Sequence, residues 1–390
     1  MRRAAVLLLA LALSACGDAG STAPETSPPG NRATDGTWTM LPTAPLGPRR
    51  GAHAVAAGGK LLLFGGTPAE PCPVGADCGT PPVAPFSDGA AFDPRTRSWT
   101  ELAPSPVPIG YARSAVVGDV VYLLVAPFGS SHRSARDAFL AYEMTRDEWT
   151  ELELPPDPRY RQLVADDRAV VAYQHSQETG VEKDFVYDPR TSSWSELAPD
   201  PLQPSYDRWM VATSEGPVLT AIDIVPDPGA TEPSLYRAAV FDDDGKWRRL
   251  PDSEVMGYNP EWFWTAGRVV NPSIESGDGG ETNNWGRTYY AGGILDPRRG
   301  QWSTLPDTPT TRGDFTGIYA GGPRYATAGG GWAFDGETSR WLELSRPTGA
   351  PESEAAATWV GDELFVWGGV RYEGSDGILL DDGWSWAPHD

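Results

Sequence analysis

Histidine, cysteine and positive charge are all scarce in this chain. The four histidines, His53, His132, His175 and His389, stand far apart, too dispersed to mark a metal site or a nucleophilic triad by spacing. No Gly-x-Ser-x-Gly, His-Glu-x-x-His or Gly-Lys-Ser string occurs, so the common signatures of serine hydrolases, zinc peptidases and phosphate-cradling loops are missing. Beyond residue 13 no apolar run is long enough to cross a bilayer, and no long helical amphipathic pattern appears. Lysine and arginine total 31 against 53 aspartates and glutamates, a formal net charge of -22. Such a field repels phosphate backbones and anionic lipid, which argues against a nucleic-acid partner.

Arg2 and Arg3 precede an unbroken apolar run over residues 4–13, followed by Leu13-Ser14-Ala15-Cys16. Charge, length and order predict a secretory signal over residues 1–15. The Leu-Ser-Ala-Cys approach resembles a bacterial lipobox, which implies that Cys16 is the acylated first residue of an exported lipoprotein. Residues 16–36 are dense in Gly, Ser, Thr and Pro with no apolar period, the composition of a tether that stays disordered. The expected location is extracytoplasmic, with contact to the membrane only through the N-terminal lipid. Of the remaining cysteines, Cys72 and Cys78 share a Pro- and Gly-rich stretch. Outside the cytoplasm such a pair predicts a loop-stapling disulfide. The alternative, a metal pair, lacks a nearby His or further Cys, and no metal or cofactor is expected.

What the chain has in abundance is repetition. FDPRTRSWTEL at 92–102 returns as YDPRTSSWSEL at 187–197, and weaker spellings end on Trp149, Trp247, Trp302, Trp341 and Trp384, with an isolated Trp38-x-x-Leu-Pro at the start. From Trp38 onward this is a period of about fifty residues, the range of solenoids and propellers. Short apolar runs separated by turns such as Gly58-Gly59, Gly118-Asp119, Asp166-Asp167 and Gly361-Asp362 precede each phrase and predict hairpins. In the phrase an aromatic ends strand three, Asp and Pro shape the turn, and Trp opens strand four. The expected architecture over residues 37–390 is all-β: a propeller of seven four-stranded blades, six or eight also fitting the spacing, with Trp38 on an outer strand that closes the ring. Trp38, Trp99, Trp149, Trp194, Trp247, Trp302, Trp341 and Trp384 are the expected wedges between neighbouring sheets.

This pattern resembles the kelch repeat of the galactose-oxidase-like propeller superfamily. The Gly-Gly pair that closes strand two in that family is matched by Gly65-Gly66 and Gly368-Gly369, and loosely by Gly329-Gly330, whereas units two to four lack it. Copper-radical catalysis of the galactose-oxidase type is not expected. It needs a Tyr–Cys cofactor and His ligands, and once Cys16, Cys72 and Cys78 are assigned no cysteine is left.

Aligning the units on their first apolar run brings Arg113, Arg161, Arg208 and Glu261 into register, with Arg49 and Arg50, Arg312 and Asp314, and Glu352 and Glu354 nearby in the other units. Guanidinium forks suit carboxylate or phosphate oxygens; equally, an Arg at this place ties one blade to the next. Tyr206, Trp209, Tyr258, Trp262, Trp264 and Trp285 gather beside this ring in sequence, and Trp209 and Trp262 flank its charged positions. The predicted rim therefore comprises Arg50, Arg113, Arg161, Arg208, Trp209, Glu261, Trp262, Arg312, Asp314 and Glu354. Its expected ligand is a glycan, peptide or protein, bound by a monomeric, surface-anchored scaffold with no assignable catalytic residue. The alternative is an exported sugar-modifying enzyme resembling the sialic-acid epimerases (mutarotases) of this superfamily, with Glu261, Glu352 and Glu354 as candidate acid–base carboxyls.

Overall fold

The computed structural model describes residues 35–389, apart from 75, 77, 79–82, 126–135, 225–234, 243, 254, 256–260, 275, 278–288 and 291. The expectations for residues 1–34, including Cys16, and for His132, Tyr258 and Trp285 lie outside the described residues. Among the described residues no helix forms. Seven four-stranded antiparallel sheets are arranged as the blades of a propeller. Their inner strands are His53–Ala57, Ala112–Val117, Arg161–Ala165, Ser205–Val211, Phe263–Thr265, Tyr319–Gly321 and Ala356–Val360, which number blades 1 to 7.

Each blade is a meander, and its first hairpin turns where the sequence places Gly or Asp. Ala57 pairs with Lys60 across Gly58-Gly59 and Val360 with Glu363 across Gly361-Asp362. In blade 3 the turn is longer than the two residues read from Asp166-Asp167, because Ala165 pairs with Val170. The repeated phrase is the hairpin of strands three and four. Asp93 Oδ1 accepts the Arg95 backbone N–H at 2.9 Å and Asp188 Oδ1 that of Arg190 at 2.8 Å, the Asx turn the phrase predicts.

Blade 7 takes its first three strands from the C-terminal end of the chain and its fourth, Gly36–Met40, from the described N-terminal end; Trp38 pairs with Trp386. The ring is thus closed by hydrogen bonds between residues that are distant in sequence. One expectation is corrected here. Trp384 lies on the third strand of blade 7 (Gly383–Pro388), buried at 3% exposure, and Trp38 holds the fourth-strand place of that blade. The error has a simple origin: the last unit contains no fourth strand, so its phrase is incomplete.

The core is the set of apolar layers between blades. Phe64 and Tyr142, on blades 1 and 2, meet at 5.5 Å, and Phe139 and Tyr187, on blades 2 and 3, at 5.1 Å. The fourth-strand tryptophans add a recurrent bond. The indole N–H of Trp99 donates to the Pro42 carbonyl at 2.8 Å, that of Trp149 to Ala103 at 2.7 Å, and that of Trp194 to Glu153 at 2.8 Å. Trp247, Trp302 and Trp341 repeat it onto Ala198, Pro251 and Pro306. Every acceptor lies four residues after the preceding blade's tryptophan, so each of blades 1 to 6 is pinned to the segment leaving its neighbour.

Candidate functional site at one mouth of the channel

The blade-entry segments and the connections between strands two and three gather at one end of the inner strands. In blade 1 the second strand ends in Gly65-Gly66, both left-handed at φ 61° and 92°. A Cβ on Gly65 would come within 2.0 Å of the Ile109 carbonyl oxygen, so only glycine lets the segment entering blade 2 pass this close. The connection that follows carries a Cys72–Cys78 disulfide and leans on a hairpin of blade 7, Val370–Glu373 with Asp376–Leu379. Val74 N–H reaches Ser375 O at 3.2 Å and the Tyr372 hydroxyl reaches Cys72 O at 3.4 Å.

Strand pairing gives a firmer register for the ring than apolar runs do. Four residues before the last paired residue of the inner strand stand His53 in blade 1, opposite Phe64, Arg113 in blade 2, opposite Leu124, and Arg161 in blade 3, opposite Gln174. The same count from Thr265 reaches Glu261 in blade 5. Blade 4 breaks the series: a register shift between Tyr206 and Trp209 inserts one residue, with Asp207 at φ 47°. His53 is therefore the blade-1 member of the ring, and counting back from Gly58-Gly59 rather than forward from the apolar run would have found it.

These positions have different fates. Arg208, beside the bulge, is 0% exposed. Its guanidinium donates to the Gln174 carbonyl at 2.9 Å, to Asp200 at 3.0 Å and to Asp184 at 2.8 Å. Arg161 is 4% exposed, donates from Nε to Asp157 O at 2.7 Å and lies 3.6 Å from Asp184. Burial raises the pKa of Asp184 above the ordinary carboxylate range, although Arg208 pulls it down. An arginine so consumed is a tie between blades 3 and 4, and its loss would strand buried carboxylates. The structure thus moves Arg161 and Arg208 from an open rim into the wall.

Trp262 is corrected in the same way. At 1% exposure it packs edge-on to Tyr236 at 4.8 Å and to Trp302 at 5.8 Å, and belongs to the core. Trp209 is half-buried, its indole N–H donating to the Trp262 carbonyl at 2.8 Å. Arg50 and Glu354 are brought together: both carboxylate oxygens accept from Arg50 Nη1 at 2.7 Å, joining blades 1 and 7. Arg312, Asp314 and Glu352 are exposed.

Arg113 is the least buried of the three ring arginines. Its guanidinium lies over the Tyr111 ring at 4.6 Å, as that of Arg161 lies over Phe185 at 4.9 Å, and among the described residues its buried Nε, like Arg161 Nη1, has no hydrogen-bond partner. Its charge acts on residues of three other blades. Burial pushes His53 down to about 4, and Arg113 adds to the shift. Burial lowers His175 too, with Arg113 and Arg208 contributing. Burial pushes Glu261 up to about 7 while Arg113 pulls it back. Blades 2 and 5 are not neighbours, so the attraction between Arg113 and Glu261 acts across the channel.

Two other features are weaker candidates. A concavity of about 660 Å³ opens at the opposite end, among the turns of blades 3 and 4. Two of its three carboxylates are occupied with those turns: Asp166 Oδ1 accepts two backbone N–H groups, and so does Asp242 Oδ1. Among the described residues no three His, Cys, Asp or Glu side chains are grouped to hold a metal ion.

No family model matches the sequence. Among curated proteins the chain is similar to Kelch repeat and BTB domain-containing protein 3 of Mus musculus, 26% identical over 130 residues, 31% of this chain and 20% of that one. It is similar to Kelch-like protein terF of Aspergillus terreus, 27% identical over 191 residues, 44% of this chain and 40% of that one. A putative F-box/kelch-repeat protein of Arabidopsis thaliana is 28% identical over 160 residues, 40% of this chain and 44% of that one. The chain spans less than half the length of each of these relatives. Repeats, seven four-stranded blades and these likenesses together support a kelch-type β-propeller.

Proposed function

We propose that this chain is a binding scaffold whose partner, a protein or peptide, docks on the channel mouth built from the blade-entry segments and the long connections of blades 1 and 7. The observation that carries the reading is Arg113: a half-buried guanidinium on an inner strand, with a buried Nε that has no hydrogen-bond partner among the described residues. The kelch names of the similar proteins and the few His and Cys of the sequence support a binding rather than a redox role. The signal-like N-terminus and the lipobox-like Cys16 suggest that the scaffold is exported, lipid-anchored and presented outside the cytoplasm as a monomer. Acidic, neutral and basic peptides immobilised on an array and probed with the full chain test the reading. Retention of a subset, lost in Arg113→Met, supports it; equal retention by both forms defeats it. Mass spectrometry after labelling with palmitate tests the anchor at Cys16.

One observation favours a second reading, a sugar-modifying enzyme of the mutarotase kind. A carboxyl that burial pushes up to about 7, as it does Glu261, can both give and take a proton near neutral pH. Accelerated anomer exchange of N-acetylneuraminate, abolished in Glu261→Gln, would support it, and an unchanged exchange rate would remove it.

A further inference from the structure

The seam between blades 1 and 7 carries two sets of contacts at the channel mouth. Its base is tied by residues outside the disulfide ring. Arg50 Nη1 donates to both Glu354 carboxylate oxygens at 2.7 Å, and Arg50 Nε to the Ala69 carbonyl at 3.1 Å. Gly51 N–H donates to the Glu354 carbonyl and Gly369 N–H to the Arg49 carbonyl, both at 2.9 Å. The tip is held differently. Pro71 lies so close to the hairpin that a Cβ on Gly377 would come within 2.5 Å of Pro71 Cβ. The Tyr372 hydroxyl donates to the Cys72 carbonyl at 3.4 Å, and Val74 N–H to the Ser375 carbonyl at 3.2 Å. All three contacts fall inside the ring that Cys72 and Cys78 close, or one residue before it. Val74 is 63% exposed, and Pro73 and Ala76 are exposed too, so among the described residues no apolar side chain between the two cysteines is sunk into the core. What holds the tip is the shape of the ring, and one S–S bond sets that shape.

We propose that Cys72–Cys78 is a thiol-reducible clasp at the channel mouth: a dithiol opens it, and the blade-1 connection then lets go of the blade-7 hairpin. The clasp does not depend on the binding reading above. Cys78 is exposed and Cys72 half-buried, so a thiolate of the reductant attacks Cys78 Sγ. The S–S bond breaks, a mixed disulfide forms at Cys78, and Cys72 leaves as a thiolate that takes a proton from water. The second thiol of the reductant loses its proton and attacks the mixed disulfide. Cys78 is released as a thiol, and the reductant departs as a cyclic disulfide, having passed two electrons to the cystine. In the open ring residues 73–77 regain the chain entropy that closure removed, which favours the undocked tip by about tenfold or more. The base contacts lie outside the ring, so reduction frees the tip and leaves blades 1 and 7 joined.

Hydrogen–deuterium exchange of the full chain, read by mass spectrometry with and without dithiothreitol, tests the clasp. On reduction, segments 71–78 and 370–379 should exchange about tenfold faster, while the second strand of blade 2, Val120–Val125, should not change. Iodoacetamide added after the reductant should label Cys72 and Cys78 in the folded chain. The double variant Cys72→Ser, Cys78→Ser should exchange fast at both segments without reductant and should not respond to it. Gly377→Ala crowds Pro71 with the sulfurs untouched, so it should speed exchange at 71–78 in the oxidised protein; it separates the contact from the sulfur chemistry even if the double variant fails to fold. Four results would each overturn the proposal. An unlabelled pair in the folded chain would put the bond out of the reductant's reach. Unchanged exchange at 370–379 on reduction would make the bond idle, and unchanged exchange at 71–78 in Gly377→Ala would mean that the hairpin does not hold the tip. Loss of protection in every blade would make the bond a staple of the whole fold.

Discussion

Two residues before each fourth-strand tryptophan of blades 1 to 6 the backbone turns left-handed. The angle φ is 51° at Arg97, 55° at Asp147, 51° at Ser192, 76° at Gly245, 65° at Gly300 and 58° at Ser339. Four of the six are not glycine, and a Cβ in this region meets the following carbonyl at a cost of about 1 kcal/mol. Ser192→Gly, at an exposed turn, should therefore stabilise the protein by up to about 1 kcal/mol, less the entropy of a freer unfolded chain; urea unfolding measures it. At the channel mouth, two residues oppose each other in their response to pH. His53 is lowered from 6.5 to about 4, so the unfolded chain takes its proton first and stability is lost as pH falls from about 6.5 to about 4. Glu261 is raised from 4.5 to about 7, so its contribution is present below about 4.5 and is lost as pH rises through about 7. Asp207, raised to about 6 by burial and by Glu178, adds to the second slope. The opposing slopes flatten the profile of the unsubstituted protein. In Glu261→Gln the melting temperature should climb more steeply between pH 4 and 6.5, and in His53→Asn it should decline more steeply between pH 5 and 7. Identical profiles for all three proteins would show that neither group is linked to folding.

At the scale of elements, the strand-three to strand-four hairpin serves both as a turn and as a fastener. Cross-strand pairs such as Phe92 with Trp99 and Tyr187 with Trp194 bring tilted rings together at 5.0 and 5.2 Å, while the indole N–H ties the blade to its neighbour. Among the described residues blade 7 lacks the tie: Trp38 packs on Phe315 at 5.4 Å, but its buried Nε1 has no hydrogen-bond partner there. Trp149→Phe should cost about 1–2 kcal/mol through its lost bond, and Trp38→Phe distinctly less, as chemical denaturation of the two variants will register. Equal losses would mean that ring volume alone matters. The apolar–turn–apolar pattern made these hairpins legible in the sequence, because each is local. The bulge at Asp207 was not legible: nothing in Tyr206-Asp207-Arg208-Trp209 announces an extra residue, and the shift appears only against the partner strand, Val218–Asp223.

At the scale of the molecule, closure rests on one strand. Gly36–Met40 covers the edge of Gly383–Pro388 in blade 7, and its removal would leave that edge unpaired. Deleting residues 1–40 should lower the melting temperature and broaden the transition seen by calorimetry, whereas deleting residues 1–34 should change neither; a sharp, unshifted transition after the longer deletion would show that closure adds nothing. The charge of the ring is a property of the same scale, since His53, Arg113 and Glu261 reach one another's fields only when blades 1, 2 and 5 share a channel. By itself the sequence determined the all-β class, the repeating blade, the closing strand at Trp38 and the turn chemistry of the phrase. All of these follow from local hydrogen bonding and from an apolar period repeated every few tens of residues. Only the tertiary structure decided which charged side chains are wall and which face the channel. That choice depends on pairing register and on the fields of residues far apart in the chain, and neither is written in any short stretch of it.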